Sequence, residues 1–250
     1  MKYISLAIAA AALLVLSGCT SDTTGDGSIN GSPQSQQPGY ENNQPYQESV
    51  IPPQGSGYGL AYDLSGYLLP VKTLQSQSVT KKFYITHQQD TYTFDPTTET
   101  LVRYLEGDKD DLNRPFVSVF QGEAPDQKLV ERYVVDQNRI NVTTYDKNAN
   151  ANSFEQYPRH LQVGGDLLRN QNGACVLKEQ IDNFEMDNIP AQAHPNGHYS
   201  SVLHVYCGTA DGVKIDRYYA DGWGQILAIR QEADGSVTYS VFDQNSYQEH

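Results

Sequence analysis

The chain has 250 residues, with 17 Lys+Arg against 30 Asp+Glu, a formal charge of −13 and 38% hydrophobic residues. That length and apolar fraction suit one modest core. The acidic balance, without a basic stripe, excludes binding through a phosphate backbone, so no nucleic acid partner is expected. Heptads and longer internal repeats are missing, which removes coiled coils and solenoids.

Residues 1–18 carry Lys2 and then an apolar run from Ile4 to Leu16. The run is too short to cross about 30 Å of hydrocarbon and has the form of an export leader. It ends in Leu16-Ser17-Gly18-Cys19, which resembles the bacterial lipobox. The resemblance implies cleavage before Cys19, diacylation of its sulfur and acylation of the new amino terminus. Acyl chains at about 0.8 kcal/mol per buried methylene would hold the protein on a membrane permanently. Thr20 and Ser21 stand where an Asp would, by the same resemblance, retain a lipoprotein in the inner membrane, so the outer membrane is the expected address. The plainer alternative is an ordinary secretory leader that leaves Cys19 a free thiol. Loss of residues 1–18 removes Lys2 and no acid, moving the charge from −13 to −14. Anionic headgroups repel such a domain, so attachment is by acyl chain and not by surface charge.

Residues 20–57 are Ser, Thr, Gly, Asn, Gln and Pro with few aliphatics. Such a composition buries too little apolar surface to offset ordering entropy, so 19–57 reads as a lipidated cysteine and a disordered tether. A docking segment around Tyr40 and Tyr46 is the alternative. Residues 58–250 read as a single β-rich domain. Strands are expected at 82–86, 100–105, 116–120, 129–135 and 139–145, with a further strand-like alternation at Thr91 to Phe94. Loops are expected at 106–115 and 148–153, and 161–169 is ambiguous. The carboxyl-terminal third is clearest, with strands at 174–184, 200–207, 213–219, 225–231 and 237–242. Asp-Gly pairs punctuate them, and such pairs supply the positive φ that hairpins need. No long amphipathic helix occurs. The expected fold is mainly β, an antiparallel meander forming an open or half barrel.

With Cys19 given to lipid, Cys175 and Cys207 remain, and an even count in an exported protein favours a disulfide. Strand alternation puts Cys175 with Leu177 and Cys207 with Val205, so both sulfurs face one interior if the strands are neighbours. No Cys-x-x-Cys redox motif or zinc spacing occurs, so no metal is expected. His194 and His198 have helical ligand spacing, but Pro195-Asn196-Gly197 forbids that helix. The oxygen-rich loop Asp108, Asp110, Asp111 and Asn113 departs from the EF-hand pattern and reads as solvated. Hydrolase elbow, phosphate loop and dinucleotide fingerprint are all missing, so no catalytic residue and no cofactor is assigned.

The stretch Tyr218-Tyr219-Ala220-Asp221-Gly222-Trp223-Gly224 is the most distinctive. It is similar to a YYAxGxG-like signature of bacterial envelope β-domains, over about residues 174–242, with Trp223 where those domains carry a smaller apolar residue. Such domains have been likened to the half-open barrels of outer-membrane lipoprotein carriers and receptors, which implies an unclosed barrel here. Tyr218, Tyr219 and Trp223 read either as core and turn packing or as an aromatic binding platform. Three functions follow in order. The first is a non-enzymatic outer-membrane lipoprotein that binds or supports an envelope protein or glycan. The second is a carrier for an apolar ligand, in a pocket lined by residues such as Phe83, Ile85, Tyr92 and Phe94. The third is a glycan-active enzyme, which would need converging titratable groups in a cleft.

Overall fold

The computed structural model describes residues 59–70, 78–107, 109–110 and 112–250. The leader, the lipobox, the tether, Asp108 and Asp111 lie outside the described residues. The chain runs through β1 (Tyr62–Asp63), α1 (Ser65–Leu68), β2 (Ser78–Gln88), β3 (Thr98–Gly107), β4 (Phe116–Gln121), β5 (Lys128–Val135), β6 (Arg139–Tyr145) and β7 (Ala151–Pro158). It continues through β8 (His160–Leu161), β9 (Asp166–Asn170), β10 (Gly173–Glu185), β11 (His198–Thr209), β12 (Lys214–Ala220), β13 (Gly224–Gln231) and β14 (Val237–Glu249), with a 3-10 turn at Ala191–Ala193.

Twelve of these strands form one antiparallel sheet in the order β7-β6-β5-β4-β3-β2-β14-β13-β12-β11-β10-β9. It consists of two meanders, β2–β7 and β9–β14, joined by the β2–β14 ladder. Twist and coiling bring the edge strands β7 and β9 into contact, so the sheet is nearly closed as a barrel. The expected Asp-Gly turns form, with φ of 75° at Gly222 and 90° at Gly235, a region open to glycine at little cost.

Two expectations are corrected. Thr91 to Phe94 is not a strand: Asp90 accepts bonds from the backbone N–H groups of Tyr92 and Thr93, turning the chain, and only Phe94 bridges back to Gln88. The loop expected at 148–153 ends early, because Asp146 caps a tight turn through Asn148 and Asn150 and β7 begins at Ala151. The ambiguous segment resolves into β8 and β9.

Beside the large sheet lies the pair β1–β8, in which Tyr62 faces Leu161 and Asp63 faces His160. It carries α1 from the seam between β7 and β9 to the β12–β13 turn, where Gly222 N–H donates to the Gly66 carbonyl. Leu64, Leu68 and Leu69 of this segment are buried. Arg159 holds Asp63 with both Nε and Nη2, the latter at 2.8 Å. Burial pushes the Asp63 carboxyl up, but Arg159 and Ser65 outweigh it and hold the pKa at about 2.

Strand alternation sorts the residues into two cores. On the inner face Lys81 and Phe83 of β2 register with Val102 of β3 and Phe242 of β14, and Val117 and Val119 continue that face through β4. On the outer face Thr86, Leu227 and Val241 are buried too, because the β10–β11 connection folds over them. Its Gln192 carbonyl accepts from Thr86 and Thr97, and its His194 ring lies 4.9 Å from that of Tyr84.

Cys175 and Cys207 are direct register partners on β10 and β11 and form the expected disulfide, with Cα atoms 4.0 Å apart. The bridge closes a separation of 32 residues. In the chain-entropy account that stabilises the fold by about 3–4 kcal/mol. Cys175→Ala with Cys207→Ala is therefore expected to lower unfolding stability by that amount in a urea titration, and wild type with added reductant should match the variant.

Candidate functional site

Six titratable groups inside the barrel form a cluster built from a short recurring pattern. Glu131-x-Tyr133 on β5 and Glu155-x-Tyr157 on β7 each place a carboxylate and a phenol on one face of a strand, since residues two apart share a side. Tyr133 donates to Glu131 at 2.7 Å and Tyr157 to Glu155 at 2.5 Å. From β12, on the opposite wall, Arg217-x-Tyr219 completes the set, with Arg217 and Tyr219 hydrogen-bonded to each other. Registers confirm the common face: Val119 opposes Glu131, Val117 opposes Tyr133, and Val205 opposes Arg217.

Burial dominates the electrostatics of this cluster. It pushes the Glu131 carboxyl up, against the lowering effect of the Tyr133 bond and of Arg217. Burial likewise raises the phenols of Tyr104, Tyr133, Tyr157 and Tyr219. It works against the Arg217 cation, but Tyr219, Tyr157 and Glu131 more than offset it, and Arg217 stays charged. The phenols donate to the two carboxylates, and the Arg217 cation lies against Tyr219, Tyr157 and Glu131. The arrangement fastens β5 and β7 to β12 across the interior.

Lys81 is a second buried charge-bearing group, 0% exposed on β2. Its Nζ donates to the carbonyls of Trp223 at 2.7 Å and Gln225 at 2.5 Å. Phe242 lies 4.1 Å from Nζ to its ring centroid, with Phe83 and Tyr104 further out. Among the described residues no carboxylate pairs with it, and burial holds its amine well below the usual lysine range. The rings and carbonyls together replace part of the lost hydration.

On the outer face, His204 stands between two carboxylates. Nδ1 is 3.1 Å from Glu179 of β10 and Nε2 is 2.6 Å from Asp216 of β12. The ring lies parallel to Tyr218 at 4.5 Å, and Tyr218 in turn stacks on Phe184. Burial disfavours the imidazolium, but Asp216 and Glu179 outweigh it and the pKa is raised above the ordinary 6.5. Both ring nitrogens therefore act as donors, and three adjacent strands are clamped.

The residues proposed as an aromatic platform are not brought together. Tyr218 and Tyr219 point to opposite faces of β12, Tyr219 into the interior cluster and Tyr218 onto His204. Trp223 is half-buried and packs on Phe242 at 6.0 Å and Tyr247 at 4.9 Å. The four residues named for an apolar pocket also part: Phe83 is buried against Phe242, Ile85 is half-buried, and Tyr92 is 89% exposed beyond the strand. Among the other histidines, His87 bonds Thr238 and His198 lies 3.3 Å from Glu185. His194 and His198 lie on a connection and a strand, not on a helix. Asp110 caps its own turn through Leu112 and Arg114, and among the described residues no metal-ligand group forms. Sequence reading overlooked Lys81, Glu131 and Arg217, and set His204 aside after weighing it as a metal ligand beside the cysteines. The repeated Glu-x-Tyr pair was the one available signal.

Two outcomes are expected. Arg217→Met, which strands two acids in the interior, should lower unfolding stability by about 3–5 kcal/mol, and adding Glu131→Gln should recover part of the loss in the same urea titration. For His204 the folded pKa is raised, so its contribution is complete below pH 6.5 and is lost as pH rises through the folded value. The melting-temperature gap between wild type and His204→Gln should therefore be widest at mildly acidic pH and narrow towards alkaline pH.

No family model matches this chain, and no curated protein does. Among solved structures, a DUF1329 family protein from Desulfovibrio piger aligns at 10% identity over 73% of this chain and 91% of its own, with a TM-score of 0.28. A LolA superfamily protein from Nitrosomonas europaea aligns at 11% identity over 74% of this chain and 93% of its own, with a TM-score of 0.23. Superpositions this loose carry no argument for a shared fold or activity.

Proposed function

We propose that the chain is an exported lipoprotein, anchored in the bacterial outer membrane through Cys19, whose β-domain is a non-enzymatic module that binds or supports another envelope component. The observation that carries this reading is the interior cluster. Apart from Lys81, which is bonded to backbone carbonyls, the ionisable groups of the interior are tied to one another across the barrel, from Glu131 and Glu155 to Arg217. Recognition then belongs to the outer surface. The leader and the Leu16-Ser17-Gly18-Cys19 motif support the address, and the tether of 20–57 supports reach from the membrane.

A carrier for an apolar ligand is the second reading, and the packing of Val79, Val102, Val117 and Val119 on the inner face, each 1% exposed or less, weighs against it. One experiment addresses both. Mass spectrometry of protein purified from membranes should find a mature chain beginning at a triacylated Cys19, and Cys19→Ala should be lost from the outer-membrane fraction. Crosslinking in whole cells should then recover an envelope protein or glycan. Unmodified Cys19 overturns the address, an empty crosslink overturns the binding role, and one co-purified acyl lipid per chain favours the carrier.

A further inference from the structure

The connection between β10 and β11 borders an open, shallow recess of about 390 Å³. Met186, Ile189 and Pro195 supply apolar lining, and Glu185 and Asp187 are exposed beside them. His198 stands against Glu185 at 3.3 Å. Asp187 has no hydrogen bond or ion pair among the described residues.

The recess is held open by bonds to the sheet. Gln192 is tied to Thr86 and Thr97, and Asn196 accepts from the Gln244 backbone N–H at 3.0 Å. Behind its wall lies a buried hydroxyl. Tyr199 is 2% exposed, and its hydroxyl has no partner among the described residues. That hydroxyl presses on Gly197, where a Cβ would come within 2.6 Å of it. Gly197, with φ of 93°, is thus the thinnest wall the backbone allows between the recess and a buried polar atom without a partner.

We propose that this recess binds an alkylammonium group, the chemistry of a lysine side chain on a partner protein. The proposal deepens the reading of the domain as a binding module and rests on it. A lysine stem lies along Met186 and Ile189 while its ammonium meets Asp187 and Glu185, so apolar and charged ends are both matched. An anion would face two carboxylates, and a wholly apolar ligand would leave Asp187 desolvated beside it. The formal charge of −13 draws basic partners to the domain.

Saturation-transfer NMR on the full lipidated chain in dodecyl maltoside tests this with N-acetyl-lysine N-methylamide as the probe and N-acetyl-norleucine N-methylamide as its neutral counterpart. Transfer to the lysine probe is expected, with a Kd about tenfold higher in Glu185→Gln/Asp187→Asn, a variant confined to exposed side chains whose melting temperature should match wild type. No transfer, equal transfer to the norleucine probe, or an unchanged Kd in the variant would overturn the proposal. The readout is independent of any captured partner: an empty crosslink with saturable lysine binding would sink the envelope role and leave the recess chemistry standing.

Discussion

The ladder between β2 and β14 is the constraint on which the rest of the structure depends. It pairs the first long strand of the sheet with the last, and it is where two six-stranded meanders become one sheet. Register is continuous from Val237 to Asp243 and shifts only between Asp243 and Gln248. With Phe83 opposite Phe242, a slip of one residue would turn Lys81 to the outside and bring Tyr84 and Lys82 into the interior. Lys81 secures the correct register chemically. Its amine reaches the carbonyls of Trp223 and Gln225 only from the inner face. Each meander consists of neighbours close in sequence, whereas this ladder joins the ends of the domain and must close the longest loop.

The acidic composition has a local explanation. Asp90, Asp146 and Asp234 each accept backbone N–H bonds one turn ahead, which holds their carboxyls below the usual range and sets the tight turns of the meander. A chain of short hairpins needs many such turns. Much of the negative charge is therefore turn chemistry, and only acids without a backbone duty, such as Asp187 at the recess, are free to meet a ligand.

Where elements are set by neighbours in the chain, they could be read from sequence. The Asp-Gly hairpins, the alternation of the carboxyl-terminal strands and the Cys175–Cys207 pairing all follow from spacing of two residues and turn preference. What escaped was set by distant residues. Nothing local to Lys81 says that Trp223 and Gln225 will offer carbonyls, and nothing local to Arg217 says that Glu131 lies across the barrel. Tyr92 and Phe94 alternate like strand residues, but the Asp90 side chain captures the backbone first. Tyr218 and Tyr219 looked like a pair because they are adjacent, yet adjacency on a strand is what separates them. The lipobox reading concerns processing and membrane chemistry, which the arrangement of the barrel leaves open.

The two faces of the sheet divide the tasks. Inside, the Glu131, Glu155 and Arg217 cluster links opposite walls while Lys81 is held by backbone carbonyls, and the benefit is cohesion. Outside, the β10–β11 connection lies on β2 and β14 and is fixed there by Thr86, Tyr84 and Gln244. The recess is therefore mounted on the same ladder that unites the two meanders. Its shape is set by the register of β2 against β14, not by the hairpin alone. The His204 clamp, further down that hairpin, ties its arms to β12 through Glu179 and Asp216. A surface loop on its own would lose much of its binding energy to ordering; this one is ordered before any ligand arrives, because its tip is bonded to β2 and β14 and its stem to β12.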